Sequence, residues 1–263
     1  MSVALEEILF DLEAEGNRLE RLVAALSEDQ WRTPTPADGW DVATQVAHLA
    51  WTDEAATAAA VDEQAWNEML TSVLADVGGS VDAAALAGGR VEPAQLLVRW
   101  RRAREAVVAA LRAHPTGKRM PWLGPSMSAT SMATARFMET WAHSHDVHAA
   151  LGVEFEVTDR IRHVAHLGIR TRNFAFSMHQ IPPPDEEFRV ELVAPSGHVW
   201  TYGPEDAAQR VIGSAYDFCL VVTQRMHRDD SDLVATGEDA DRWLSLAQCF
   251  AGPPGAGRAA VMT

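Results

Sequence analysis

Lysine is almost missing from this chain: Lys118 is the only one among 22 basic residues. Set against 37 acidic residues, the balance is a formal net charge of −15 and a pI near 5.0. A surface so short of positive charge repels phosphate backbones and anionic bilayers, which excludes nucleic acid and membrane surfaces as partners. Cysteine is equally scarce. Cys219 and Cys249 stand apart in apolar segments, forming neither a C-x-x-C pair nor a disulfide framework, and read as two buried thiols in a reducing compartment. Residues 1–7 lack the basic start and apolar run of a signal peptide, and no stretch has the apolar length to span a bilayer. A cytoplasmic location is the expectation.

What is present is the composition of a folded protein, 47% hydrophobic and 22% charged, on a chain long enough for one large domain or two modest ones. Apolar residues Leu5, Ile8, Leu9, Leu12, Leu19, Leu22, Val23 and Leu26 recur at helical spacing, predicting an amphipathic helix over 3–26. Ser27 to Gln30 has the spacing of a capping box, and 33–39 is a Pro- and Gly-bearing turn. Asp41 can cap the next helix, which carries His48. Further helices are expected over 63–77, stopped by Gly78 and Gly79, over 81–86, and from Pro93 to about 114. Arg101, Arg102 and Arg104 read as a solvated face. The loop 115–130, with Trp122 and Met127, either lines a pocket or plugs one end of a bundle. A helix over 158–178 carries His163, His166 and, just beyond it, His179, none at ligand spacing to His48.

Proline occupies 182–184, and the composition shifts there, so the expected domains are a helical bundle over 1–180 and a small α+β unit over 185–263. In the second, 188–193 alternates as a half-buried strand and turns into 198–202, a third strand lies near 210–213, and helices follow over 214–224 and 238–250.

The stretch with chemistry in it is Arg136 to His148, RFMETWAHSHDVH. Read as helix, it sets Glu139 and His143 one turn apart on one face, where a carboxylate and an imidazole can grip a cation. Two ligands make a weak site, and the candidate third is His48 in GWDVATQVAHL. An ordinary i,i+4 polar pair and a hydrogen-bonded core histidine are the alternatives. Phe137, Met138, Trp141 and Val147 leave little of the helix for water, and buried Glu and His need partners. Asp53 and Asp146, about a turn from His48 and His143, could accept from the ligand imidazoles, or equally face solvent or form a salt bridge.

These two stretches together resemble the metal-binding N-terminal domain of the mycothiol-dependent maleylpyruvate isomerase family, within the DinB-like helical bundles. The resemblance implies a mainly α protein: a DinB-like four-helix-type bundle followed by a small α+β, sterol-carrier-like C-terminal domain. It implies metal ligands at His48, Glu139 and His143, zinc foremost and nickel next, with open coordination positions. It further implies mycothiol or another low-molecular-weight thiol as cosubstrate, an electrophilic small molecule as substrate, and isomerase or S-transferase activity. In that family an arginine from the second domain holds substrate carboxylate, and Arg225 is the nearest counterpart here. Two other readings stay open: a ferrous facial triad, unusual on a helical scaffold, and a non-catalytic metal-dependent binder of small molecules.

Overall fold

The computed structural model describes residues 2–76, 79–255 and 257–261. Its contacts divide into two compact units, Met1–Phe155 and Glu156–Thr263. The proline stretch at 182–184 lies inside the second of these, with the two helices that precede it.

Unit 1 is helical. Helix α1 (Val3–Val23) buries Leu5, Leu9, Leu12, Leu19 and Val23 and ends three residues short of the expected Leu26. A short α2 (Glu28–Trp31) follows with the reciprocal Ser27 and Gln30 capping box in place. The turn after it closes through a bridge between Pro34 and Asp41, and Asp41 caps α3 (Val42–Val61) by accepting from Thr44 N at 2.7 Å. Helix α4 (Glu63–Ala75) and α5 (Ser80–Gly89) come next; the expected helix end at Val77 and the stop at Gly78 lie outside the described residues. Helix α6 (Pro93–Ala113) starts with proline at its first turn, where a missing N–H costs nothing. Helix α7 (Ala129–Leu151) is capped by Ser128 and ends on Gly152 at φ 63°, a left-handed residue that glycine takes without strain.

Helices α3 and α7 form the centre of this unit. Both are buried around most of their circumference, so their polar residues lie in the interior rather than on a wetted stripe. Val42, Val46, Leu49, Leu96, Trp100 and Val147 pack together in its core. Glycines bring α5 against α3: a Cβ on Gly89 would lie 3.1 Å from Thr44 Cα, and one on Gly88 2.9 Å from Ala47 Cβ. Arg101 and Arg104 are not a free solvated face, because both grip Glu20 of α1 at 2.7 and 2.6 Å. In the loop before α7, Trp122 stacks on Trp66 of α4 with ring centroids 5.8 Å apart.

Unit 2 is mixed. A 3₁₀ turn (Asp159–Ile161) leads to α8 (Arg162–Arg170) and α9 (Arg172–Met178), which break at Thr171 where one helix was expected. Strands β1 (Phe188–Val193), β2 (Val199–Tyr202), β3 (Gln209–Ser214) and β4 (Val234–Thr236) make a sheet of order β2-β1-β3-β4. Strand β1 runs antiparallel to β2 and parallel to β3. Helix α10 (Ala215–Val222) follows β3, and α11 (Glu238–Leu246) closes the unit. No single described helix is long and apolar enough to cross a membrane.

Candidate metal centre

The three residues singled out in the sequence meet. His48 projects from α3, and Glu139 and His143 from successive turns of α7. Glu139 Oε2 lies 3.3 Å from His48 Nε2 and 3.2 Å from His143 Nε2, and the three possible ligand atoms lie within 4.8 Å of one another. Both histidines are 8% exposed. The donor set and its spacing fit a divalent ion. A tetrahedral ion with bonds of about 2.1 Å holds its ligand atoms about 3.4 Å apart, close to the separations present here.

The electrostatics agree. Burial pushes the Glu139 carboxyl pKa up, but the hydrogen bonds and charge of His143 and His48 outweigh it and hold the group well below the ordinary carboxylate range. It is therefore an anion at neutral pH, as a ligand must be.

Residues around the centre differ in part from expectation. The partner of His143 Nδ1 is the side-chain oxygen of Gln45, which lies one turn before His48 on α3. Gln45 Nε2 in turn lies 2.9 Å from Thr35 Oγ1. Of the roles open to it, Asp53 takes the salt bridge, as the counter-ion of Arg136: Nε donates to Oδ1 at 2.9 Å, and Arg136 Nη2 also donates to Thr52 Oγ1 at 2.5 Å. Burial pushes the Asp53 carboxyl up, against the pull of Arg136. Asp146 is buried on α7. His48 Nδ1 is buried with no hydrogen-bond partner among the described residues. Trp40 covers the pair of imidazoles, its ring centroid 5.2 Å from that of His48 and 5.9 Å from that of His143, nearly parallel to the latter at 15°.

Arg225 belongs to unit 2, just past the C-terminal end of α10, and its Nη1 donates to the Thr223 carbonyl at 2.7 Å. Cys219 and Cys249 are both buried free thiols. Burial, with Cys249 nearby, pushes the Cys219 thiol well above its ordinary pKa, so it stays protonated and unreactive.

Comparison with known proteins places these features. The chain is 53% identical over 248 residues to uncharacterised proteins from two strains of Mycobacterium tuberculosis, spanning 94% of this chain and 96% of each relative. Crystal structures of mycothiol-dependent maleylpyruvate isomerase share the fold, at 16% identity, and at 15% for a histidine mutant. Both give a TM-score of 0.59 and cover 97% of this chain and 99% of the other. A family model described as wyosine base formation matches residues 184–236, from just before β1 to the end of β4. The model of the mycothiol maleylpyruvate isomerase N-terminal domain matches residues 12–148, more than half of the chain and the part holding all three converging donors. The chain thus belongs to the mycothiol maleylpyruvate isomerase N-terminal domain family.

Proposed function

We propose that this protein is a metal-dependent enzyme that activates a low-molecular-weight thiol, mycothiol or a close equivalent, for isomerisation of an electrophile or for S-transfer to it. The observation that carries the reading is the convergence of His48, Glu139 and His143 at ligand spacing in a buried site. Two imidazoles and one carboxylate would hold a divalent ion, zinc foremost and nickel next, and leave coordination positions open, unlike a closed four-ligand structural site. When bound, such an ion supplies Lewis acidity that stabilises a thiolate near neutral pH.

The chain's own groups have separate tasks. Glu139 offsets one of the two positive charges, and the histidines add none. Trp40 supplies an apolar wall beside the imidazoles. Arg225 is the group we assign to a substrate carboxylate, since a guanidinium forks onto two carboxylate oxygens. The thiolate sulfur adds to an activated carbon–carbon double bond, the resulting single bond rotates, and the thiolate leaves with the double bond reformed. A transferase would stop at the adduct, with one proton taken up at carbon. Such thiols are kept reduced inside the cell, which fits a cytoplasmic reaction.

Elemental analysis and titration calorimetry test this. The purified protein should carry about one divalent ion per chain, and the variant His143→Ala far less. Mycothiol should bind the metal-loaded protein with release of close to one proton, read from buffers of different ionisation enthalpy. Equal metal in both proteins would sink the site. Equal thiol binding by metal-free protein would sink the activation mechanism and leave a non-catalytic binder.

A further inference from the structure

A chain of hydrogen bonds runs from the backbone of the 33–41 turn to His143, and its direction can be worked out from the end. The Trp40 carbonyl only accepts, and Thr35 Oγ1 donates to it at 2.9 Å. With its one hydrogen committed there, that hydroxyl must accept from the next group, Gln45, at 2.9 Å. The Gln45 amide nitrogen therefore faces Thr35, which turns its oxygen toward His143 Nδ1. An oxygen there requires a hydrogen on Nδ1. Nε2 is then the ring nitrogen left for a proton or a metal ion, and it is the atom facing Glu139 Oε2 at 3.2 Å.

We infer that Gln45 and Thr35 form a one-way relay that locks His143 as the Nδ1–H tautomer and presents its Nε2 lone pair to the metal. Gln45 is a positioning residue, acting through His143. It is fully buried at 0% exposure, where a glutamine without partners would cost free energy, and it spends both ends of its amide on the relay. The turn contributes twice, because the Trp40 carbonyl anchors the relay while the Trp40 indole packs nearly parallel to the imidazole that the relay orients. Facing a carboxylate at this distance, Nε2 needs a cation between them: a proton, as in the hydrogen bond that lowers the Glu139 pKa, or a metal ion in the proton's place. His48 has no such device, since its Nδ1 finds no partner among the described residues. The two ligand histidines are thus unequal: one is set before the ion arrives and the other is not.

The inference rests on the metal reading for its affinity arm alone; its tautomer arm is independent of any metal. In the affinity arm, zinc binding to the full-length protein is measured by competition with a chromophoric chelator. Gln45→Leu should bind zinc about 10–100-fold more weakly, the usual effect of removing a partner that orients a ligand histidine. Gln45→Glu, which can still accept from Nδ1 but cannot donate to Thr35, should recover most of that loss. Thr35→Val should fall between wild type and Gln45→Leu. In the second arm, long-range proton–nitrogen NMR of metal-free protein, recorded at a pH where the His143 ring is neutral, should show its hydrogen on Nδ1, and a mixture of tautomers in Gln45→Leu. A folded Gln45→Leu variant with wild-type zinc affinity would overturn the inference, as would a Gln45→Glu variant no better than Gln45→Leu. A wild-type protein that binds no zinc would refute the metal reading, yet the tautomer result would still decide the relay.

Discussion

The interiors of the two units follow different rules. Among the described residues, fifteen buried polar or charged side chains lie in unit 1, including Gln45, His48, Asp53, Arg136 and His143, against three in unit 2: His163, Thr223 and Gln248. Buried charge is a poor route to stability, because desolvation cancels most of the attraction. Around the three converging donors most of it is paired with specific partners, although His48 Nδ1 is not. Arg136 holds Asp53 and Thr52, Gln45 holds His143, and Glu139 faces two imidazoles. Unit 2 packs Phe218, Trp243, Phe188 and Val211 with two inert thiols. Buried polarity thus sets unit 1 apart from unit 2, and the candidate metal centre lies in the unit that holds more of it.

That contrast can be broken most forcefully at Arg136. Replacing Asp53 with Ala strands a guanidinium in the interior and should cost about 3–5 kcal/mol in urea unfolding, while Asp53→Leu with Arg136→Met should recover much of it. The same kind of deletion in unit 2 is expected to be mild. Thr223→Val removes one hydrogen bond to the Cys219 carbonyl and should cost about 1 kcal/mol. Equal losses at the two places would erase the distinction. Metal should act on unit 1 next in size: free zinc at a hundred times its dissociation constant should stabilise the wild-type protein by about 2.7 kcal/mol and leave His143→Ala unmoved.

A smaller effect follows from the depressed Glu139 pKa. Because the folded value lies below the unfolded one, the metal-free fold gains stability above the unfolded carboxylate pKa, about 4.3, and loses it as pH falls through the folded value. The melting-temperature gap between wild type and Glu139→Gln should therefore shrink as the solution is acidified below that range. The smallest expected signal is none at all. Cys219 and Cys249 should not react with an aromatic disulfide reagent at pH 8 in the native protein, and both should react after denaturation.

The convergence of the three candidate donors was legible because they obey local patterns. Glu139 and His143 are four apart on a helix, and His48 sits in a stretch too apolar to leave an imidazole in water. The same reasoning, pushed further, reaches Gln45: it is three residues before His48, hence on nearly the same face. The amide drew no attention because glutamine is common and carries no charge. Asp53 was legible only as a choice between orienting an imidazole and forming a salt bridge, and it forms the salt bridge. A carboxylate a turn from a histidine suggests a partner, but its true partner, Arg136, is 83 positions away, and no local pattern joins them. In unit 2, β1 showed as alternation and β2 through the turn before it, whereas β4 has three residues on a sheet edge, too few for any period to appear. The break between α8 and α9 at Thr171 likewise has no proline or glycine to mark it.

The distance along the chain between His48 and Glu139, 91 residues, has a consequence for how the protein comes into being. No fragment of local structure contains the ligand set. During synthesis α3 leaves the ribosome with a single candidate donor, and the other two follow only with α7. Closing so long a loop carries an entropy cost that grows only logarithmically with its length, yet that cost falls before the contacts that reward it. An ion that needs all three donors can therefore be held only once α3 and α7 have come together. If the proposed site takes zinc, the rate at which refolding protein captures it should accordingly report the docking of α3 on α7.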